Sequence, residues 1–198
     1  TLCADMFLAA KTTNDELEAL RRQSAAYLTW SKFFQPNQKM SLESARGLFA
    51  ELTYLETMMA PRYGFASAIE SWKGPLGGHQ DFVVDAVATE IKSIHLGATE
   101  VKISSEHQLD FPGNLTLRVY EVEEAVESSG ESLSDIVSRI KSGLSSESSE
   151  KFMQLVLDLG FNFDEPLCTE TRFVSHGCRD YDASAETFPS IRANSLQS

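Results

Sequence analysis

The chain has 198 residues, 42% of them hydrophobic and 23% charged, a length that fills one core well and two poorly. Its 29 Asp and Glu outnumber 17 Lys and Arg, giving a formal charge of -12. That balance argues against a generally basic surface, the usual footprint of a protein that holds nucleic acid by neutralising phosphates. No run approaches the ~20 apolar residues of a membrane helix and no signal peptide is visible.

The surplus of acid is uneven. Residues 1–100 carry 9 Lys and Arg against 12 Asp and Glu, and residues 101–198 carry 8 against 17, which leaves room for a local basic path near the middle of the chain. Three cysteines, Cys3, Cys168 and Cys178, form an odd and sparse set that suits a reducing cytoplasm better than a disulfide framework. Cys168, His176 and Cys178 lack CxxC or HxxxH spacing, so thiols are preferred to a zinc site. The chain begins at Thr1 rather than Met, and its first segment is read as incomplete at its start.

In chain order, Thr13-Asn14-Asp15-Glu16 has the form of a capping box, and Leu17, Leu20, Ser24, Tyr27 and Leu28 recur at helical spacing. A helix over about 14–34 is expected, within an N-terminal helical segment 1–40, ahead of a domain over 41–198. Ser41 caps a second helix, with Leu42, Ala45, Leu48, Phe49, Leu52, Leu55 and Met59 on one broad apolar face up to Pro61. Glu51 stands at the margin of that face. Gly74-Pro75-Leu76-Gly77-Gly78 is turn chemistry.

Two short apolar strands follow, then Glu100-Val101-Lys102-Ile103-Ser104 as a further strand-like piece and a polar turn or short helix at Ser105–Leu109. Asn114–Tyr120 alternates as a strand. Helical patterns surround Leu133-Ile136-Val137-Ile140 and Phe152-Leu155-Val156-Leu159, with Ser142–Ser149 read as a flexible Ser/Gly-rich link. Thr171–Ser175 and Phe188–Ile191 are read as short late strands. Helices, a cluster of strands, then helices and strands again predict a mixed α/β fold with helices on a central sheet.

The stretch Asp81-Phe82-Val83-Val84-Asp85-Ala86-Val87-Ala88-Thr89-Glu90-Ile91-Lys92 carries the chemistry. A two-residue turn at Asp85-Ala86 sets Val84 against Val87, Val83 against Ala88, Phe82 against Thr89, and Asp81 opposite Glu90. Like charges so opposed are destabilising, and two carboxylates placed this way need a cation between them. Mg²⁺ takes oxygen ligands, commonly one or two carboxylates with water and phosphate. Glu90 and Lys92 lie two apart and share a strand face, so Asp81, Glu90 and Lys92 together are the equipment for metal-assisted hydrolysis of a phosphodiester. The plainer alternative is a solvated strand end and a surface ion pair worth ~0–1 kcal/mol. Glu100-Val101-Lys102 repeats the Glu-x-Lys spacing but lacks an opposed acid one tight turn away.

Asp81, Glu90 and Lys92 resemble the PD-(D/E)XK nuclease signature, with Gln80 where the signature has proline. Around them Arg46-Gly47-Leu48-Phe49-Ala50-Glu51-Leu52, Trp72-Lys73-Gly74-Pro75, Ile103–Leu109 and Gly130-Glu131-Ser132-Leu133 resemble the landmarks of a bacterial group of PD-(D/E)XK family members, over residues 40 to 192. The resemblance implies a restriction-endonuclease-like core, a mixed sheet with flanking helices. It implies Asp81, Glu90 and Glu51 as metal ligands for Mg²⁺ or substituting Mn²⁺, Lys92 as the residue that positions or activates water, and Gln108 as a residue steadying the site.

Each of these has a plain counterpart. Glu51 is otherwise a solvated helix-edge carboxylate and Gln108 a turn-stabilising amide, while Ser104 and Ser105 cap the short helix. His79 and His95 are read as structural or solvent-facing. The activity implied is a DNA endonuclease of a bacterial restriction or phage-defence system that leaves 5′-phosphate and 3′-hydroxyl ends. The partners implied are DNA, other proteins of such a complex and a second copy of the chain, with no membrane. The rival class is a non-catalytic assembly or regulatory subunit that keeps the fold and uses its acidic half on a basic partner.

Overall fold

The computed structural model describes residues 40–125 and 129–189. The helix expected over 14–34 lies outside them, as does the end of the Phe188–Ile191 segment.

The first helix, α1 (Leu42–Tyr54), starts as its sequence requires, with the Ser41 hydroxyl accepting a 3.0 Å bond from the Ser44 amide. Its apolar face buries Leu48, Phe49 and Leu52, each worth about 1.5–3 kcal/mol on removal from water. The helix does not stop at Pro61. It widens into a π-helical turn at Leu55–Met59 and continues as α2 (Ala60–Tyr63). The proline sits in the first turn of α2, where its missing N–H is not needed, and the wider turn ahead of it relieves the clash its ring would make with the preceding carbonyls. Gly64, at φ 78°, breaks the chain direction before α3 (Phe65–Ser71), a helix the apolar spacing did not announce.

The hairpin has the register expected of it. In β1 (Phe82–Val84) and β2 (Val87–Ile94), Phe82 pairs with Thr89, Val83 with Ala88 and Val84 with Val87. Asp85 takes a left-handed conformation at φ 52°, which Asp tolerates better than most residues. Next come β3 (Asn114–Glu124), β4 (Glu131–Ser132), α4 (Leu133–Ser142), α5 (Ser146–Asp158), α6 (Pro166–Thr169) and β5 (Arg172–Asp182). The five strands form one mixed sheet in the order β1-β2-β3-β5-β4. Only β2 and β3 run parallel; the other pairs are antiparallel. A parallel pair needs a crossover, and residues 95–113 supply it.

The two sheet faces are covered differently. On one, Phe82, Ile91, Tyr120 and Val122 pack with Leu52, Ile136 and Phe152 from the helices. On the other, Ala88, Leu115, Leu117 and Val119 are met by Val101, Ile103 and Phe111 of the crossover and by Ala183 and Phe188 after β5. A helical core therefore backs one face, while loops close the other. The result is a mixed α/β fold, a curled five-stranded sheet flanked by helices, consistent with the PD-(D/E)XK architecture.

Three local readings change. Glu100–Ser104 is not a strand: Val101 and Ile103 alternate inward as a strand would, but both edges of β2 are already taken by β1 and β3. The Ser-rich link is mostly helix, since Ser145 caps α5 and Ser146–Ser149 form its first turn. Phe188 and Pro189 lie outside any strand. Among the described residues no helix is long and apolar enough to cross a membrane.

Candidate active site

Asp81 stands one residue before the first hairpin pair. Its backbone carbonyl accepts from the Lys73 and Gly74 amides, and its side-chain Oδ2 accepts a 2.7 Å bond from the Ile91 amide. The carboxylate thus occupies the ladder position beside β2 where β1 has already ended. Alternation places Asp81 and Val83, like Ala88, Glu90 and Lys92, on the loop-covered face. There Lys92 Nζ is 2.8 Å from Glu90 Oε1, with the lysine side chain 17% exposed and the glutamate 1%. Lys92 and the Asp81 backbone amide are the donors beside Glu90, and neither is well aligned with its oxygens. Burying an ionised carboxylate that way is costly unless a cation compensates it.

Glu51 reaches the same place from α1. The indole N–H of Trp72, itself fully buried, donates to its Oε2 at 2.7 Å, so Glu51 is not the solvated helix-edge acid of the plainer reading. Gly74 shows how close the acids come: a Cβ there would sit 2.8 Å from Asp81 Oδ1 and 3.2 Å from Glu51 Oε2. Burial, and then the Asp81 charge, hold the Glu51 carboxyl well above its ordinary value. Asp81 is raised too, by burial, against the opposing pull of the Ile91 amide and Lys92. Burial and the Asp81 charge push Glu90 up to about 8. A single lysine does not balance three carboxyls.

Those features fit a hard divalent cation. The donors are all carboxylate oxygens, Glu90 is buried without aligned donors, and the small residue at Gly74 leaves space beside Asp81 and Glu51. Among the described residues no group of three or more Asp, Glu, His or Cys side chains is placed to hold a metal ion by itself. Mg²⁺ does not require one, since one or two carboxylates with water and substrate phosphate suffice.

Gln108 is engaged elsewhere: its Oε1 accepts 3.0 Å from the Ser104 amide, the turn-stabilising role. Ser105 caps the same 3₁₀ turn, Glu106–Leu109, by accepting from the His107 amide. His79 lies against His107, ring centroids 4.9 Å apart, and His95 is exposed at a turn. Cys168 is buried in the helical core, while Cys178 is exposed on β5. Two roles escaped the sequence. Trp72 and Gly74 stand in the sequence only as part of the landmark string Trp-Lys-Gly-Pro, with nothing local to point them at Glu51. Gln80, buried in the signature's proline position, donates Nε2 to the carbonyls of His107 at 2.8 Å and Asp110 at 3.2 Å, tying the crossover to the site.

An Asp ahead of a hairpin and a Glu-x-Lys within it, on one face of a mixed sheet flanked by helices, define the PD-(D/E)XK class of nuclease-like proteins. The chain belongs to the family described as "Putative PD-(D/E)XK family member (DUF4420)", which matches residues 1–198. Comparison with curated proteins and with solved structures gave no match.

Proposed function

We propose that the chain is a Mg²⁺-dependent DNA endonuclease, working in the cytoplasm within a bacterial restriction or phage-defence system. The observation that carries the reading is Glu90, an acid sunk beside Asp81 and Lys92 with both oxygens lacking aligned donors. Asp81 and Glu90 are the ligands proposed for the ion, with Glu51 assisting. A divalent ion held there would supply Lewis-acid activation of water and charge neutralisation at phosphorus.

The protein's own groups do the rest. The Ile91 amide fixes one Asp81 oxygen and leaves Oδ1 toward the site. Trp72 holds Glu51 in place. Lys92, a compact cation with rotatable donors, orients the attacking water and offsets charge building on the phosphate during in-line attack. Gln80 holds the crossover against the site, and Gln108 stabilises that loop from within. The acidic remainder of the chain favours a DNA groove completed by a partner protein of the complex or a second copy of the chain.

The test is relaxation of supercoiled plasmid with Mg²⁺ or Mn²⁺, by wild type and by Asp81→Asn and Lys92→Ala proteins of matched melting temperature. Cleavage that survives both substitutions overturns the assignment. A wild-type protein that stays inactive with its partners present points to the non-catalytic subunit.

A further inference from the structure

Sheet register extends the site across the loop-covered face. Glu90, Leu117 and Tyr181 are successive partners on β2, β3 and β5, and Lys92, Val119 and Arg179 form the next row. Directly opposed residues project to the same side, so Tyr181 and Arg179 share a face with the catalytic pair. Neighbouring strands are about 4.8 Å apart, which puts Arg179 about 10 Å from Lys92, roughly one or two nucleotides along an extended strand.

That end of the face is indented and carries two exposed side chains. A shallow depression enclosing about 30 Å³ and otherwise open to solvent is lined by Ile94, Val101, Val119, Glu121, Arg179 and Tyr181. The Arg179 side chain is 60% exposed and held by an ion pair to Glu121, which is itself only 14% exposed. That contact uses Nη2 and leaves other guanidinium donors for a second acceptor. Tyr181 is 42% exposed, a large apolar ring at the rim.

We propose that the exposed Arg179 and Tyr181 at this end of the face bind the nucleotide next to the cleaved phosphodiester, taken from an unpaired strand, with Arg179 on its phosphate and the Tyr181 ring against its base. The inference rests on the nuclease reading only for where the cleaved bond lies. A guanidinium suits a phosphate, and an exposed aromatic ring suits a base face. Base pairs in a duplex are stacked and hide those faces, so the substrate class is single-stranded or locally opened DNA.

The experiment measures binding of a fluorescein-labelled oligothymidylate, and of a duplex of equal length, to the full chain carrying Asp81→Asn in Mg²⁺. The single strand should bind more tightly than the duplex. Adding Arg179→Ala should weaken it about five- to tenfold and lower the slope of log K against log salt by about 0.7. Tyr181→Ala should cost about fivefold or more, while Tyr181→Phe retains affinity because the ring remains.

Unchanged affinity and slope in both alanine variants, equal binding of duplex, or no binding at all overturns the subsite. Wild-type cleavage of the same oligonucleotide separates the two proposals. Cleavage with unchanged KM in both variants sinks the subsite and leaves the nuclease standing. Strand binding with the expected variant pattern but no cleavage sinks the nuclease and keeps the subsite.

Discussion

The Asp81 carboxylate accepts a 2.7 Å hydrogen bond from the backbone amide of Ile91, so a side chain takes the place of a strand at the open edge of β2. This bond orients one oxygen and frees the other. Asp81→Asn keeps a side-chain acceptor for the amide while removing the charge. Plasmid cleavage should fall about 100-fold or more, with a melting temperature no lower than wild type because repulsion with Glu51 and Glu90 is relieved. A large loss of melting temperature would mean the charge is structural.

Metal-free stability should fall as pH rises. The folded Glu90 titrates at about 8, against an ordinary 4.5, so between those values the folded protein holds a proton the unfolded chain has released, and raising pH favours unfolding. Glu51 and Asp81 are raised as well and act in the same sense. Thermal melts in EDTA should show the decline, Glu90→Gln should flatten part of it, and a divalent cation should reverse it at the alkaline end with release of protons. A melting temperature indifferent to pH across that window would contradict the burial of the acids.

Trp72→Phe removes the donor that lowers the Glu51 carboxyl against burial and the Asp81 charge. The acid limb of the pH profile of kcat/KM should move to higher pH. Loss of packing at a fully buried site costs about 1–3 kcal/mol, but a purely structural Trp72 would lower the yield of folded protein and leave the limb in place.

Gly74→Ala would put a Cβ 2.8 Å from Asp81 Oδ1. Asp81 cannot swing away without leaving the Ile91 amide, so the acids must spread. Calorimetric titration with Mn²⁺ should show affinity about 10- to 100-fold weaker in a protein that still folds. Wild-type affinity would mean the space beside Gly74 is not part of the ion site.

Gln80→Pro restores the residue of the family signature, yet it should destabilise. Gln80 is buried and donates to the carbonyls of His107 and Asp110, and proline removes that donor, at about 0.5–1.5 kcal/mol for each part-buried bond lost. A melting temperature equal to wild type would show that water replaces it freely.

Much of the hairpin was readable in advance. Its register follows from a two-residue turn, and the shared face of Glu90 and Lys92 follows from strand alternation; both are short-range geometry. Glu100-Val101-Lys102 has the same period, and nothing within it tells that the neighbouring edge is occupied. The resemblance implies Gln108 at the site, and the plainer alternative is a turn-stabilising amide; its side-chain carbonyl accepts from the Ser104 amide, a partner four positions away. Trp72 and Glu51 are 21 positions apart in sequence, too far for any local pattern to join them.

Read along the chain, then, the residues specify the turn at Asp85-Ala86, the cap at Ser41, the apolar face of α1 and the acid–acid–lysine set of the hairpin, because each depends on neighbours a few positions away. Folding alone decides that Trp72 grips Glu51, that Gln80 clasps the crossover and that Arg179 and Tyr181 fall into line with Lys92 and Glu90. Those pairings join segments whose approach is set by how helices and strands fill a common core, and that competition among distant surfaces leaves no mark in the local order of residues.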